Sequence, residues 1–128
     1  MYCNHAFFFG ATAENCETLE KLQDLKGCCG IKLFAGSSTG NLLVDKEDDI
    51  EKVFKHASKV VAVHSEDEEI LKIRKKLIEK GNVKTHPVWR NEEVAMSSTR
   101  KIVKIAKRFN KRAHIPVSYT HLRAHETV

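Results

Sequence analysis

A chain of 128 residues, 41% hydrophobic and 30% charged, has the size and composition of one ordinary domain with a core. No apolar run approaches the ~20 residues that span a bilayer, and the opening MYCNHAFFFGA lacks the basic segment of a signal peptide, so a cytoplasmic protein with no membrane contact is expected. The net charge of +5 comes from KIRKKLIEK and TRKIVKIAKRFNKR, which read as solvated helix faces and not as a nucleic-acid surface, because no aromatic residues interleave with the bases.

The elements follow in chain order. HAFFFGAT reads as a strand ending at Gly10, and AENCETLEKLQDL as a helix stopping at Gly27. GIKLFAG is a second strand. DKEDDIEKVFKHA is a helix with Asp45 as N-cap and Ile50, Val53, Phe54 and Ala57 on one face. KVVAVHS is a third strand, apolar on both faces. EDEEILKIRKKLIEKG is a helix with acids in its first turn and bases later, as the helix dipole favours, and it ends at Gly81. NVKTHPVWR reads as a loop around Pro87. NEEVAMSSTRKIVKIAKRFN is a long helix with Ile102, Val103, Ile105, Ala106 and Phe109 as its apolar stripe, and RAHI starts a fourth strand.

That β-α-β-α-β-α-β order predicts an α/β fold on a parallel sheet. Periodicity alone leaves two architectures open, a doubly wound sheet and part of a (β/α)8 barrel. In both, ligands sit at the carboxyl ends of the strands. Lys32 lies within the second strand and His64 closes the third. Parity puts Lys32 with Phe34, and His64 with Ala62 and Val60, so the two polar residues converge if both faces point the same way. Each also has a plain reading: an edge-strand lysine with its head in water, and a hydrogen-bonded structural histidine. The loop GSSTGN lacks the spacing of a phosphate-binding loop, and SEDEE is most simply an acidic first helical turn. Cys3, Cys16, Cys28 and Cys29 form no C-x2-C pair and read as reduced, buried thiols; a structural zinc site or a disulfide framework is the alternative.

Taken together, HAFFFGATAEN, GCCGIKLFAGSSTGNLLVDKED, VVAVHSEDEE, THPVWRNEEVAMSSTRKI and RAHI resemble, in order, the dihydroorotases of the amidohydrolase superfamily, over roughly residues 4 to 115. GIKLFAGSSTGNLLV followed by VHSEDE is the specific part. The resemblance implies strands three to six of an incomplete (β/α)8 barrel, a fold that typically takes ~250 residues. It implies a zinc pair bridged by a carbamylated lysine, and reversible cyclisation of N-carbamoyl-L-aspartate to dihydroorotate in pyrimidine biosynthesis. Carried over by position, Lys32 is the carbamylated bridge and His64 a zinc ligand. Thr39 and Asn41 are substrate contacts, and Arg90 has no catalytic role. Desolvation among Ile31, Leu33 and Phe34 favours the neutral amine that reacts with CO2.

The chain departs from the family in three places. It contains no His-x-His, it has no counterpart of the last-strand aspartate, and HIPVSYT stands where the family has His-Ile-Leu-His-Val-Ser-Thr. A barrel fragment without a complete active site is therefore expected, with no catalytic residue of its own. Residues 116–128 read as a non-native tail, although His121 and His125 have the spacing of two ligands on one helical turn. Other cyclic amidohydrolases (allantoinase or dihydropyrimidinase type) and a non-catalytic or basic nucleic-acid-binding module are the alternatives.

Overall fold

A computed structural model describes residues 3–36 and 41–116. Four strands, β1 (Phe7–Gly10), β2 (Cys28–Phe34), β3 (Val61–His64) and β4 (Ala113–His114), form one sheet in the order β1-β2-β3-β4. Every pairing is parallel. Sequential parallel strands are the arrangement of a barrel segment, whereas a doubly wound sheet reverses its strand order at a switch point.

Alternation divides each strand between two environments. Ile31, Leu33, Val61 and Val63 are fully buried and join the core with Ile50, Val53, Phe54, Ile102 and Ile105. These helical residues come from α2 (Glu47–His56) and α5 (Glu92–Arg108). The opposite, open face is less covered. It carries Phe8, Lys32, Phe34, Ala62, His64 and His114 by register, with Phe8 47% exposed.

The amphipathic reading of α2 holds: Ile50, Val53, Phe54 and Ala57 are all buried. Its N-cap position is Lys46, without a side-chain cap, and not Asp45. Asp45 continues an extended segment in which the Val44 amide donates to the Phe34 carbonyl at 2.8 Å, and its carboxylate lies 3.8 Å from Lys72 Nζ. In α5, Val103 leaves the apolar stripe and is 37% exposed. The buried line runs through Val94, Ser98, Ile102, Ile105 and Ala106, at the three- and four-residue steps of one helix face.

Three elements differ from the sequence expectations. The first helix is short, a 3-10 turn at Cys16–Thr18 followed by α1 (Leu19–Leu22). It stops at Gln23, whose side chain is turned inward and fully buried. Gln23 Nε2 donates to the Leu19 and His56 carbonyls, and Oε1 accepts from the Ser58 and Lys59 amides. The third helix, α3 (Glu68–Arg74), passes into a 3-10 turn at Lys75–Leu77 well before Gly81. The stretch read as a loop around Pro87 holds a 3-10 turn at Val83–Thr85 and α4 (His86–Trp89), with the proline in the first turn, where its missing N–H costs nothing.

All four cysteines are free, and of these only Cys16 is buried. Cys28 and Cys29 open β2 beside a register irregularity that skips Cys29, whose thiol donates to the Phe7 carbonyl of β1 at 3.3 Å, and the expectation of buried thiols fails at Cys3, Cys28 and Cys29. Among the described residues no helix is long and apolar enough to cross a membrane. The tail from residue 117, with His121 and His125, lies outside the described residues.

Candidate functional site

The site is built from the carboxyl ends of β2 and β3. Register pairs Lys32 with Ala62 and Phe34 with His64. Partners in a parallel pair point the same way, so Lys32 and His64 share the open face. One strand over and two residues along, they stand about 8 Å apart at the backbone, from the inter-strand spacing and the rise per residue. β2 is an inner strand, which removes the edge-lysine reading.

The Lys32 environment differs from expectation. Ile31 and Leu33 point into the helix layer, and Phe34 is the neighbour that shares the lysine's face. Lys32 Nζ lies 4.8 Å from the Phe34 ring centroid. That ring is 6.2 Å from the His64 ring, so lysine, phenyl and imidazole form one contiguous patch. Burial lowers the Lys32 ammonium below its ordinary 10.5, the direction that favours free amine.

His64 is engaged from below. Its Nε2 lies 2.8 Å from Glu66 Oε2. Glu66 is 7% exposed and also pairs with Arg90. Burial alone would raise the Glu66 carboxyl. The hydrogen bond with His64 and the Arg90 charge outweigh it and hold the group below its ordinary 4.5. Arg90 is itself braced. Its guanidinium lies 4.5 Å from the Trp89 ring, and the Trp89 indole donates to the Leu71 carbonyl at 3.0 Å. Arg74 donates to the Val88 and Trp89 carbonyls.

Gly36 sets how close the two strand ends come. A Cβ there would lie 2.3 Å from the Glu66 carbonyl oxygen. Beyond Glu66, Asp67 caps α3 by accepting from the Glu69 and Ile70 amides, and Ser97 donates to its other oxygen at 2.7 Å. The acidic first turn is thus partly what the sequence suggested, but its first carboxylate faces back toward His64.

His114 joins the face as well, because register pairs it with Ala62 in the row that contains Lys32. It is exposed and two strands from the lysine, about 10 Å away. Asn41 is exposed in a turn after β2, and Thr39 lies outside the described residues. Among the described residues no group of three or more His, Cys, Asp or Glu is gathered to hold a metal. Glu66 and Arg90 carried no distinguishing sequence signal beyond their charge.

No family model matches the chain, and no curated protein does. Solved structures do. The L-hydantoinase (dihydropyrimidinase) from Arthrobacter aurescens superposes with a TM-score of 0.75 at 17% identity, over 86% of this chain and 26% of that one. The chain is a segment of a parallel β/α barrel. The D-hydantoinase (dihydropyrimidinase) from Thermus sp. gives 0.71 at 18% identity, over 89% and 26% of the two chains. The dihydropyrimidinase from Brevibacillus agri gives 0.69 at 18%, over 95% and 29%. At these identities the likeness is one of fold. The chain spans about a quarter of the length of the solved structures it matches.

Proposed function

We propose that this chain is the part of a zinc-dependent cyclic amidohydrolase that carries strands three to six of its barrel, and that the ring it acts on is dihydroorotate, made reversibly from N-carbamoyl-L-aspartate. The observation that carries the reading is the register that puts Lys32 and His64 on one open face at the carboxyl ends of adjacent strands. The donor set fits part of a zinc centre. A desolvated lysine amine and a half-exposed imidazole suit a carbamate and a nitrogen ligand. Zinc, when bound, supplies Lewis acidity toward a ring amide carbonyl and an activated water.

The chain's own residues divide the remaining work. Lys32, once its ammonium has given up a proton, attacks CO2 as the neutral amine: an N–C bond forms, one C=O π bond opens to a carboxylate, and one N–H proton leaves to solvent, so a neutral amine becomes an anionic carbamate. His64 supplies one neutral nitrogen. Thr39 and Asn41, which follow β2 in the sequence GSSTGN, are assigned to contact with the ring by the family resemblance. Two protein ligands fall short of the three usual in catalytic zinc sites, so the remaining ligands and the proton-transferring group belong to other strands of the barrel. The sequence motifs favour dihydroorotate. The names of the solved structures favour a second reading, a hydantoin or dihydropyrimidine ring.

Grafted in place of strands three to six of a dihydroorotase, residues 4–115 should support turnover of dihydroorotate, and Lys32→Ala should abolish it. Turnover of hydantoin or dihydrouracil by the graft instead selects the second reading. The isolated chain with zinc should turn over none of the three rings. Activity of the isolated chain that disappears in Lys32→Ala overturns the fragment reading.

A further inference from the structure

We propose that the outer surface of residues 73–88, from α3 to α4, docks on an anionic lipid bilayer. The surface uses neither Lys32 nor His64, so it stands apart from the zinc reading. Among the described residues nine large hydrophobic side chains are exposed, and five of them, Ile73, Leu77, Ile78, Val83 and Val88, fall in this segment. Exposed aliphatics scattered singly are ordinary; Ile73 at 67% and Val83 at 85% within one short segment are not. Helix geometry aims the first of them outward. Leu71 is buried, and Ile73, two residues on, lies about 200° round the helix from it. Leu77, in the 3-10 turn that continues α3, follows Ile73 at the four-residue step that shares a face.

Charge selects the partner. Residues 75–84 are all exposed and carry Lys75, Lys76, Lys80 and Lys84 against Glu79 alone, +3 of the chain's +5. Glu79 itself accepts from the Asn82 side-chain amide at 2.7 Å. Lys72, by contrast, is compensated by Asp45 and Glu68. A two-fold contact with a second copy would set the four lysines against their own like charges. Nucleic acid would leave the aliphatic side chains in water. A single acidic helix would suit the open groove of about 570 Å3 lined by Ile78, Val83, Pro87 and Trp89, but Ile73, Leu77 and Val88 lie outside that groove. A bilayer surface meets both chemistries at once, with anionic headgroups at the lysines and acyl chains at the aliphatics. The platform is held together from within. Arg74 donates to the Val88 and Trp89 carbonyls, and the Trp89 indole donates to the Leu71 carbonyl, which ties α4 to α3.

Trp89, the chain's single tryptophan, lines the groove and serves as the reporter. Vesicles of phosphatidylserine and phosphatidylcholine should co-sediment the full chain and shift Trp89 emission to the blue, and vesicles of phosphatidylcholine alone should do neither. Added salt should weaken the binding. Lys80→Gln with Lys84→Gln should weaken it about 30-fold, the share of two lysines at an anionic surface. Lys104→Gln with Lys107→Gln, an equal change of net charge at exposed positions of α5, should alter it by no more than about twofold. Val83→Ser should weaken it about tenfold through lost apolar burial. Circular dichroism checks that each variant is folded. No binding by the wild type, binding that ignores phosphatidylserine, or equal losses from the two lysine pairs overturns the proposal. So does a folded Val83→Ser protein that binds as the wild type does. A lipid-free dimer that Val83→Ser dissolves would assign the patch to a second copy, and equally tight capture of a DNA duplex would assign it to phosphate charge alone; either result overturns the lipid reading.

Discussion

Gly36→Ala tests how the two strand ends are held together. The new methyl carbon would lie 2.3 Å from the Glu66 carbonyl oxygen, 2.9 Å from its carbonyl carbon and 3.0 Å from its Cβ. Ordinary contact begins near 3.4 Å, so the connection after β3 must retreat by about 1 Å. Two of the three obstacles are backbone, which does not swing aside as a side-chain tip would. Overpacking of this kind costs about 1–3 kcal/mol. With a urea dependence of about 1–3 kcal/mol per molar for a small domain, the unfolding midpoint should drop by about 1 M. Gly10→Ala is the control. Its added carbon meets only Leu42 Cδ2 at 3.5 Å, an ordinary contact. That variant should match the wild type or gain a few tenths of a kcal/mol through a less flexible unfolded chain. Urea unfolding followed by circular dichroism reads both. Equal midpoints for Gly36→Ala and Gly10→Ala would refute the close approach.

Gln23→Leu keeps volume and removes the hydrogen bonds that join the end of α1 to the start of β3; it should destabilise by about 3 kcal/mol, because the Ser58 and Lys59 amides lose a buried acceptor. A neutral effect in the same urea assay would mean that Gln23 only fills space. For Asp67, burial acts to raise the carboxyl, but the Ser97 hydroxyl, the α3 amides and the Lys101 charge hold it below its ordinary 3.8. Its charge therefore stabilises the fold fully above that pH, and the contribution fades as pH falls through the depressed folded value. Asp67→Asn keeps a good cap residue but removes the titration, so the stability gap between wild type and variant should narrow as the solution is acidified below about 4. A gap independent of pH would place the Asp67 effect in cap geometry and not in charge.

The fold was legible where burial is simple. β2, β3 and the buried faces of α2 and α5 follow from apolar period, and the parallel sheet follows from their alternation with helices, while its sequential order was implied only by the family resemblance. The failures share one cause. Gln23 looks like a solvent-facing residue of an amphipathic helix, because nothing local tells a polar side chain which backbone groups a distant strand will leave unpaired. Glu66 reads as an ordinary acid of a first turn until β3 brings His64 beside it. Arg90 lies 24 positions away from its carboxylate partner, a pairing that only the packing of α4 against α3 creates. Pro87 did carry a signal, since proline is favoured at the start of a helix as well as in loops. For Lys32, parity correctly predicts the face it shares with Phe34, but the expected desolvation by Ile31 and Leu33 does not hold, because the same parity sends those two side chains into the helix layer.

Parity also explains why structure and chemistry remain separable on so small a sheet. The same four residues of β2 supply Ile31 and Leu33 to the core and Lys32 and Phe34 to the open face. A slip of β2 by one residue would exchange these sets. Lys32 would enter the layer lined by Phe54, Ile102 and Ile105, where an unpaired ammonium is far costlier than the loss of any one contact. Two fully buried aliphatic side chains would move to the exposed side, each forfeiting about 1.5–3 kcal/mol of burial. The penalty for misregister is therefore set mostly by the helix-facing residues, and it fixes the placement of Lys32 and His64 at no cost to either. The core specifies the register, and the register brings the amine and the imidazole together.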